Sequence, residues 1–229
     1  MSPRVSHIVS LLFALGIIAV LAFGALAPMK ACTTLPHGYQ PVIAFELART
    51  AADVQAIFGH GASACRAEAQ KAFAGVNFAD NFVFIPVYTL FIIFFFLGTG
   101  DAFLARIGIA LAIVAAIGDW FENHNLALLA ASPDAPSANA LLHLHIATSV
   151  KWMALGLANF VGGLTLAQRG GFWTSIAFVL CAASLVLTGL GAFYSPVFGP
   201  YISNAVALGW LIFLIADIRG AFRASRKFY

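Results

Sequence analysis

The sequence predicts an all-α membrane protein, a polytopic transmembrane helix bundle of about six spans with a small helical periplasmic cap. Two observations carry this prediction. Of the 229 residues, 62% are hydrophobic and only 9% are charged, whereas a soluble domain carries about 25% charged residues. The apolar residues also fall into separate runs of roughly 20 residues, and each run is long enough to cross ~30 Å of hydrocarbon as a helix. Most of the chain is therefore expected to face lipid or other buried helices.

The first apolar run extends from Ile8 to Ala27. The tripeptide Ala25-Leu26-Ala27 resembles a signal-peptide cleavage site. The apolar core is too long for a secretory signal, however, and Pro28 would directly follow the cut. We therefore expect an uncleaved first transmembrane helix within residues 1–28.

Residues 29–78 form the long extramembrane segment, which we expect to fold as the periplasmic helical cap. Apolar residues around a single acid predict a short interfacial helix, a capping-box pattern of Thr50 and Asp53 starts a second one, and a mostly polar run predicts a third. These helices are expected over residues 42–48, over residues 50–58 and over residues 63–74, where Gly75 ends the last of them.

Two of the three cysteines, Cys32 and Cys65, lie in this segment. If the segment is periplasmic, the oxidising compartment allows a disulfide between them. Two free thiols are the alternative, because the geometry that decides the pairing is not readable from sequence. Cys181 lies in an apolar run and is expected to be a small buried hydrophobe.

Residues 79–218 are predicted to form a five-helix transmembrane bundle, followed by a basic cytoplasmic tail over residues 219–229. Pro86 predicts a kink in the first helix of this bundle, and Asp101 is a suitable N-cap for the next helix. The spans are expected at about residues 78–97, 102–131, 139–167, 172–193 and 201–218.

The distribution of basic residues predicts the orientation. Short loops that carry Lys and Arg stay in the cytoplasm, whereas long segments weigh less in this rule. The cytoplasmic side then receives Arg4, Arg106, Arg169, Arg219, Arg223, Arg226 and Lys227, and the outer segment receives Lys30, Arg49, Arg66 and Lys71. We therefore expect a bacterial inner membrane protein with both termini in the cytoplasm. Because no basic stripe is interleaved with aromatic residues, nucleic acid is not an expected partner.

A polar stretch interrupts the third span, where Asp119, Glu122 and Asn123 share one helical face. Carboxylates in hydrocarbon are costly and need partners, so such a group marks either a site or a structural lock. Helical rise brings other polar residues to the same level in the outer half of the membrane. The predicted ligand-binding set is Glu46, Asp80, Asp119, Glu122, Asn123 and Lys151, with His143 and His145 opposite and Glu46 or Asp80 at the mouth.

Three functions fit this cluster. An outward-facing polar pocket would bind a small amphipathic or lipid-like molecule, or a cation. An ion-pair lock between Lys151 and Asp119 or Glu122 would only fix helix packing, as in an accessory subunit of a membrane complex. One lysine cannot neutralise two or three acids, however, and an unpaired carboxyl must be protonated, bind a cation or touch water. The lock alone leaves the excess acids unexplained.

The third function depends on a divalent metal. Carboxylate and imidazole ligands suit zinc or a harder divalent ion, and the predicted ligands are His143, His145 and Asp119. A haem would need facing histidines on two spans, which only His124 with His143 or His145 could supply, and we do not expect one.

Four segments of the chain carry a resemblance to a family. Together they resemble a widespread group of uncharacterised small polytopic bacterial membrane proteins, which implies a multi-span helical fold and no particular activity. The segments are Phe45-Glu46-Leu47-Ala48, Asp80 with Phe84-Ile85-Pro86-Val87-Tyr88, Asp119 with Glu122-Asn123, and Lys151.

The run Asp119-Trp120-Phe121-Glu122-Asn123 is also similar to the Asp-Trp-Cys-Glu motif by which alkaline ceramidases bind calcium. Those enzymes are zinc-dependent amidases with a His-x-x-x-His pair and a further His. This chain has His143-x-His145 instead, and its motif lies on an internal span rather than before the first one. The resemblance implies a metal-dependent intramembrane lipid hydrolase as an alternative function.

Overall fold

The computed structural model describes residues 1–26, 29–36 and 38–223. Within these ranges the chain is helical and contains no β-strand, and six helical stretches are long and apolar enough to cross a membrane. The predicted class, an all-α polytopic bundle, is therefore confirmed. The helices are α1 (Pro3–Leu26), α2 (Pro41–Glu46), α3 (Ala51–Phe58), α4 (Ala64–Ala79), α5 (Ile85–Thr99), α6 (Ala102–Ala131), α7 (Ala138–Ala167), α8 (Phe172–Phe193), α9 (Ser195–Phe198) and α10 (Ile202–Arg223).

Two predicted boundaries shift at the chain ends. Helix α1 begins at Pro3 rather than Ile8, because His7 and Ser10 are buried against α10 and not left in a polar leader. Helix α10 extends through the first five residues of the predicted basic tail. The predicted end of the first span at Ala27 lies outside the described residues, as does the tail beyond Arg223 with Arg226 and Lys227.

The third and fifth spans have the predicted bounds, and local capping explains where α6 begins. The side chain of Asp101 accepts hydrogen bonds from the backbone N–H groups of Phe103 and Leu104, both at 2.9 Å. These bonds satisfy two of the donors that a helix N-terminus leaves without partners.

The predicted stop at Gly75 is wrong. Helix α4 runs through Gly75 and continues, by a π-helical turn at Asp80–Phe84, into α5. A glycine ends a helix when it takes a left-handed conformation, and Gly75 is not among the glycines with positive φ. At the π-helical turn the Ile85 N–H donates to the Asp80 carbonyl. The helical stretch continues through Pro86 into α5.

The cap consists of α2, α3, the first half of α4 and the loops between them. The predicted capping box is present: Thr50 accepts from the Asp53 N–H, and the Asp53 carboxylate accepts from the Thr50 N–H. Three aromatic rings, Phe45, Phe58 and Phe73, pack edge to face with centroids 5.0–6.4 Å apart. These rings bind α2, α3 and α4 to one another.

A disulfide and an ion pair hold the cap at its far side. Cys32 and Cys65 are joined with a Cα–Cα distance of 5.8 Å. The Arg66 guanidinium donates to both Asp134 oxygens in the α6–α7 loop, at 2.5 and 2.7 Å, and also to the carbonyl of Gly59. The hydrogen bond from Arg66 lowers the pKa of Asp134 to about 2. The cap is thereby attached to the end of the bundle by charge as well as by apolar packing.

Helix α7 lies at the centre of the bundle, between α6 and α8 and against α10. Aromatic side chains from α5 and α10 fill the interior, where the Phe95 and Phe213 rings stack with centroids 3.9 Å apart. Helix α1 packs on α5 and α10. The bundle thus has a cap end and an opposite end, and the opposite end carries the start of α1, the α5–α6 and α7–α8 loops and the end of α10.

Candidate functional site

The candidate site begins with a close approach of two helices at Gly118. A Cβ atom on Gly118 would lie 3.1 Å from the backbone nitrogen of Lys151 and 3.3 Å from the carbonyl oxygen of Ala147. These contacts are tighter than a side chain normally makes, so glycine allows α6 its close approach to α7. The next turn of α6 carries the acids, so the contact at Gly118 sets them against the lysine.

Lys151 is the centre of the cluster and is surrounded by three carboxylates. Its Nζ donates to Glu122 Oε1 and to Glu46 Oε2, the latter at 3.0 Å, and lies 3.3 Å from Asp119 Oδ1. The three acids come from two elements, α2 and α6, and the lysine comes from α7. We call Glu46, Asp119, Glu122 and Lys151 the acidic cluster.

Two further contacts extend the acidic cluster along α5 and the π-helical turn. The Tyr88 hydroxyl donates to Asp119 Oδ2 at 3.0 Å, and Asn123 Nδ2 donates to Asp80 Oδ2 at 2.6 Å. Asp80 lies in the π-helical turn, where the altered register directs it towards α6. The structure therefore brings together every member of the predicted ligand-binding set and adds Tyr88.

Glu46 reaches the acidic cluster because its short helix is seated on α7. The Thr148 hydroxyl donates to the Glu46 backbone carbonyl at 3.0 Å, which fixes the end of α2 above Lys151. Burial raises the pKa of Glu46, although the neighbouring Lys151 opposes this shift. Glu46 or Asp80 was predicted at the mouth of a pocket, and this is wrong for Glu46, because its side chain is only 11% exposed and bonds directly to the lysine. Glu46 is the residue by which the cap contacts Lys151.

The acidic cluster is buried, and it holds more acids than bases. Exposure is 0% for Glu122, 3% for Asp119 and 4% for Lys151. Three acids share one ammonium, and half-buried Asp80 lies one hydrogen bond away through Asn123. Within the described part of the chain, Glu122 Oε2 is buried and has no hydrogen-bond partner. Such a group costs free energy unless a proton, a cation or water satisfies it.

The predicted metal ligands are not assembled. Among the residues that the structure describes, no three His, Cys, Asp or Glu side chains form a group that could hold a metal ion. His143 is exposed and His145 is half-buried, whereas Asp119 is turned inward to Lys151 and Tyr88. Two residues apart on a helix, the histidines point to different faces. His124, the other histidine considered for haem, is also exposed.

A second buried polar group, which the sequence analysis missed, lies at the opposite end. His7 Nδ1 and Asp217 Oδ1 are 2.6 Å apart, and the Ser10 hydroxyl bonds with Asp217 Oδ2 at 2.6 Å and Phe91 O at 3.1 Å. The contact joins α1 to α10 across 210 residues of sequence. Asp217 in the last turns of an apolar span was the available signal, since an intramembrane carboxylate needs a partner.

The chain was compared with known proteins at three levels. No protein-family model, no curated protein and no solved structure matches it. The resemblances to small bacterial membrane proteins and to alkaline ceramidases therefore stay predictions. The arrangement of the residues is what supports a function.

Proposed function

We propose that this protein is an integral membrane protein that binds a small cation, of which the proton is the simplest, at the acidic cluster beneath the cap. The observation that carries the proposal is the charge balance. Three buried carboxylates, from Glu46, Asp119 and Glu122, face the single ammonium of Lys151. Positive charge beyond the lysine is needed at this site.

The size of the electrostatic cost supports this conclusion. Moving one unpaired carboxylate into a low-dielectric interior costs several kcal/mol even after relaxation. One ammonium offsets one carboxylate, so two of the three remain to be neutralised by protons or by a bound cation. Glu122 Oε2, buried and without a partner among the described residues, is the acceptor best placed for that charge.

A pure packing lock is less well supported. A lock requires only a matched pair, as His7 and Asp217 form at the opposite end. The additional acids at the cap end raise the desolvation cost of the cluster, because Lys151 can neutralise only one of them. The hydrolase alternative would require His143, His145 and Asp119 to converge, and Asp119 instead contacts Lys151.

The cation would reach the acidic cluster from the cap side. Asp80 is half-buried and is bonded to Asn123, and Glu46 belongs to a six-residue helix that a few contacts hold in place. A small displacement of α2 would break the bond from Lys151 to Glu46 and open the cluster. A small amphipathic amine would present the same positive charge as an inorganic cation and is tested in the same assay.

We further propose that the protein lies in a bacterial inner membrane with both termini in the cytoplasm and the cap in the periplasm. The excess of basic residues at the opposite end supports this orientation. The disulfide between Cys32 and Cys65 in the cap fits an oxidising compartment on that side.

Proton linkage tests the proposed function. Burial raises the pKa of the Glu46 carboxyl above its ordinary value of 4.5. The stability that Glu46 contributes is therefore complete below that value and is lost as pH rises through the raised pKa. We expect the free energy of unfolding of the detergent-solubilised protein to fall with rising pH, and a small amine at alkaline pH to restore part of it.

Two variants and one control sharpen this test. Glu46→Gln and Glu122→Gln should flatten the pH dependence, because each removes a proton-binding group from the acidic cluster. Glu68→Gln, which changes an exposed acid on α4, should keep the slope of the unchanged protein. Equal slopes in all four proteins, with no effect of a small amine, would contradict cation binding and favour the lock.

A further inference from the structure

The bundle has a cleft at the opposite end, between the α7–α8 turn and α10. Its volume is about 230 Å³, and its walls include Arg169, Trp173 and Arg219. This cleft is separate from the acidic cluster, and nothing in the proposed function uses it. Two guanidinium groups on one small cleft are an unusual feature for a chain with so few charges.

Both arginines are exposed at the end of the bundle, and each makes a contact that positions its guanidinium. The Arg169 guanidinium donates to the Thr99 carbonyl at 3.0 Å, which ties α7 to the end of α5. The Arg219 guanidinium lies 4.6 Å from the centroid of the Trp173 ring, a cation–π contact. Preorganised guanidiniums lose less conformational entropy on binding than mobile ones. Asp217, on the same helix as Arg219, is bonded to His7 and Ser10 and also interacts electrostatically with Arg169.

The surroundings of the cleft indicate the depth at which it opens. Phe172, in its wall, is 84% exposed, and Phe222 on α10 is 69% exposed. Exposed aromatic side chains at the end of a membrane span are typical of the interface between hydrocarbon and headgroups. A ligand in this cleft would have its polar group at the arginines and its apolar part beside these rings.

We propose that the cleft binds the phosphate group of an anionic phospholipid. The planar guanidinium fork matches phosphate oxygens with two parallel hydrogen bonds. The first turn of α8 also begins in this wall, and its backbone N–H groups and helix dipole favour an anion. Other basic residues at the same end attract an anionic membrane surface as a whole. The two arginines of the cleft make that attraction specific.

Binding is tested by native mass spectrometry and thermal unfolding of the full chain in mild detergent. The probes are phosphatidylglycerol, phosphatidylcholine and inorganic phosphate. We expect the protein to retain phosphatidylglycerol and to unfold at a higher temperature with it than with phosphatidylcholine. If inorganic phosphate gave the same effect as the lipid, the ligand would be a free anion, and the lipid assignment would be overturned.

The variant Arg169→Gln/Arg219→Gln should bind phosphatidylglycerol at least about tenfold more weakly, since loss of one charged hydrogen bond is worth about that factor. Arg4→Gln/Arg106→Gln removes the same charge from two exposed positions at the same end and should bind as before. Arg219→Gln alone keeps the bond from Arg169 to Thr99, so it serves if the double variant does not fold. Equal binding by the cleft variant and its control would overturn the proposal.

Discussion

Two buried groups in the described part of the bundle place carboxylates beside a basic side chain, and they differ in how many acids face that one base. At the opposite end, His7 faces one carboxylate, Asp217, which also accepts a bond from Ser10. At the cap end, Lys151 faces the carboxylates of Glu46 and Glu122 and that of Asp119. The balanced pair shows what joining two helices requires. The excess of acid at the cap end is therefore a feature that helix packing does not explain, and it supports cation binding there.

Replacement of Lys151 should have the largest effect. Lys151→Met leaves three carboxylates buried without their ammonium, and breaking a buried ion pair in this way costs about 3–5 kcal/mol. Unfolding of the detergent-solubilised protein by denaturant or heat measures this loss. Lys71→Met, at an exposed position on α4, is the matched control and should be close to neutral.

The same variant separates the two explanations of the acidic cluster. If the cluster binds exchangeable protons, acidic pH should restore much of the stability that Lys151→Met loses, because protonated carboxyls no longer need the ammonium. If Lys151→Met were as stable as the unchanged chain at neutral pH, the negative charge of the three acids would not depend on the ammonium of Lys151 for neutralisation.

Substitution in the pair of His7 and Asp217 should reduce stability less than substitution of Lys151. Asp217→Asn keeps the shape of the side chain and a bond to Ser10 but weakens the contact with His7, which we expect to cost about 1–3 kcal/mol. Cation binding at the cap end should be unchanged, as measured by the pH and amine dependence of unfolding. A loss of that dependence in Asp217→Asn would show that the two groups act as one unit and would undermine the comparison.

Substitution at Gly118, where α6 contacts α7, should reduce stability less than either of these changes. Gly118→Ala places a methyl group 3.1–3.4 Å from backbone atoms of α7, so the helices must separate by a few tenths of an ångström. We expect a cost of about 1 kcal/mol, at the low end for overpacking, together with weaker cation binding. Gly75→Ala is the control, since a Cβ there meets nothing within 4 Å. It should be neutral or slightly stabilising, because alanine favours the helix.

Much of the fold was predictable from sequence, because apolar runs of fixed length define membrane spans. The bounds of α6 and α8 agreed with the prediction, and the capping box at Thr50 was found as expected. The course of α4 through Gly75 was not predictable. A glycine inside a helix costs about 1 kcal/mol, so neighbouring contacts decide whether the helix stops there.

The candidate site was predictable in its members and not in its geometry. Polar residues in spans are few, so helical rise alone brought Asp119 and Lys151 to one level. That Glu46 is buried depends on how α2 sits on Thr148, which is a tertiary contact. The pairing of His7 with Asp217 was missed for the same reason, since residues 210 positions apart meet only after α1 and α10 have packed together.

The smallest expected effect is at the edge of the cap. The pKa of Asp134 is lowered from 3.8 to about 2 by the hydrogen bond from Arg66. The stabilisation is therefore complete above 3.8 and is lost as pH falls through about 2. In Asp134→Asn, hydrogen exchange of the cap helices should no longer change over that acidic range. Because neither Arg66 nor Asp134 belongs to the acidic cluster, a change in cation binding would contradict the assignment of the site to that cluster.

The protonation state of the acidic cluster tests the central claim most directly. Infrared difference spectroscopy detects the carbonyl stretch of a protonated carboxyl group separately from that of a carboxylate. In amine-free buffer at neutral pH we predict a protonated-carboxyl signal from the buried cluster, reduced in Glu122→Gln and Glu46→Gln, unchanged in Glu68→Gln and displaced when a small amine binds. A spectrum in which all of these carboxyls are ionised in amine-free buffer, and in which no amine alters them, would contradict the proposal.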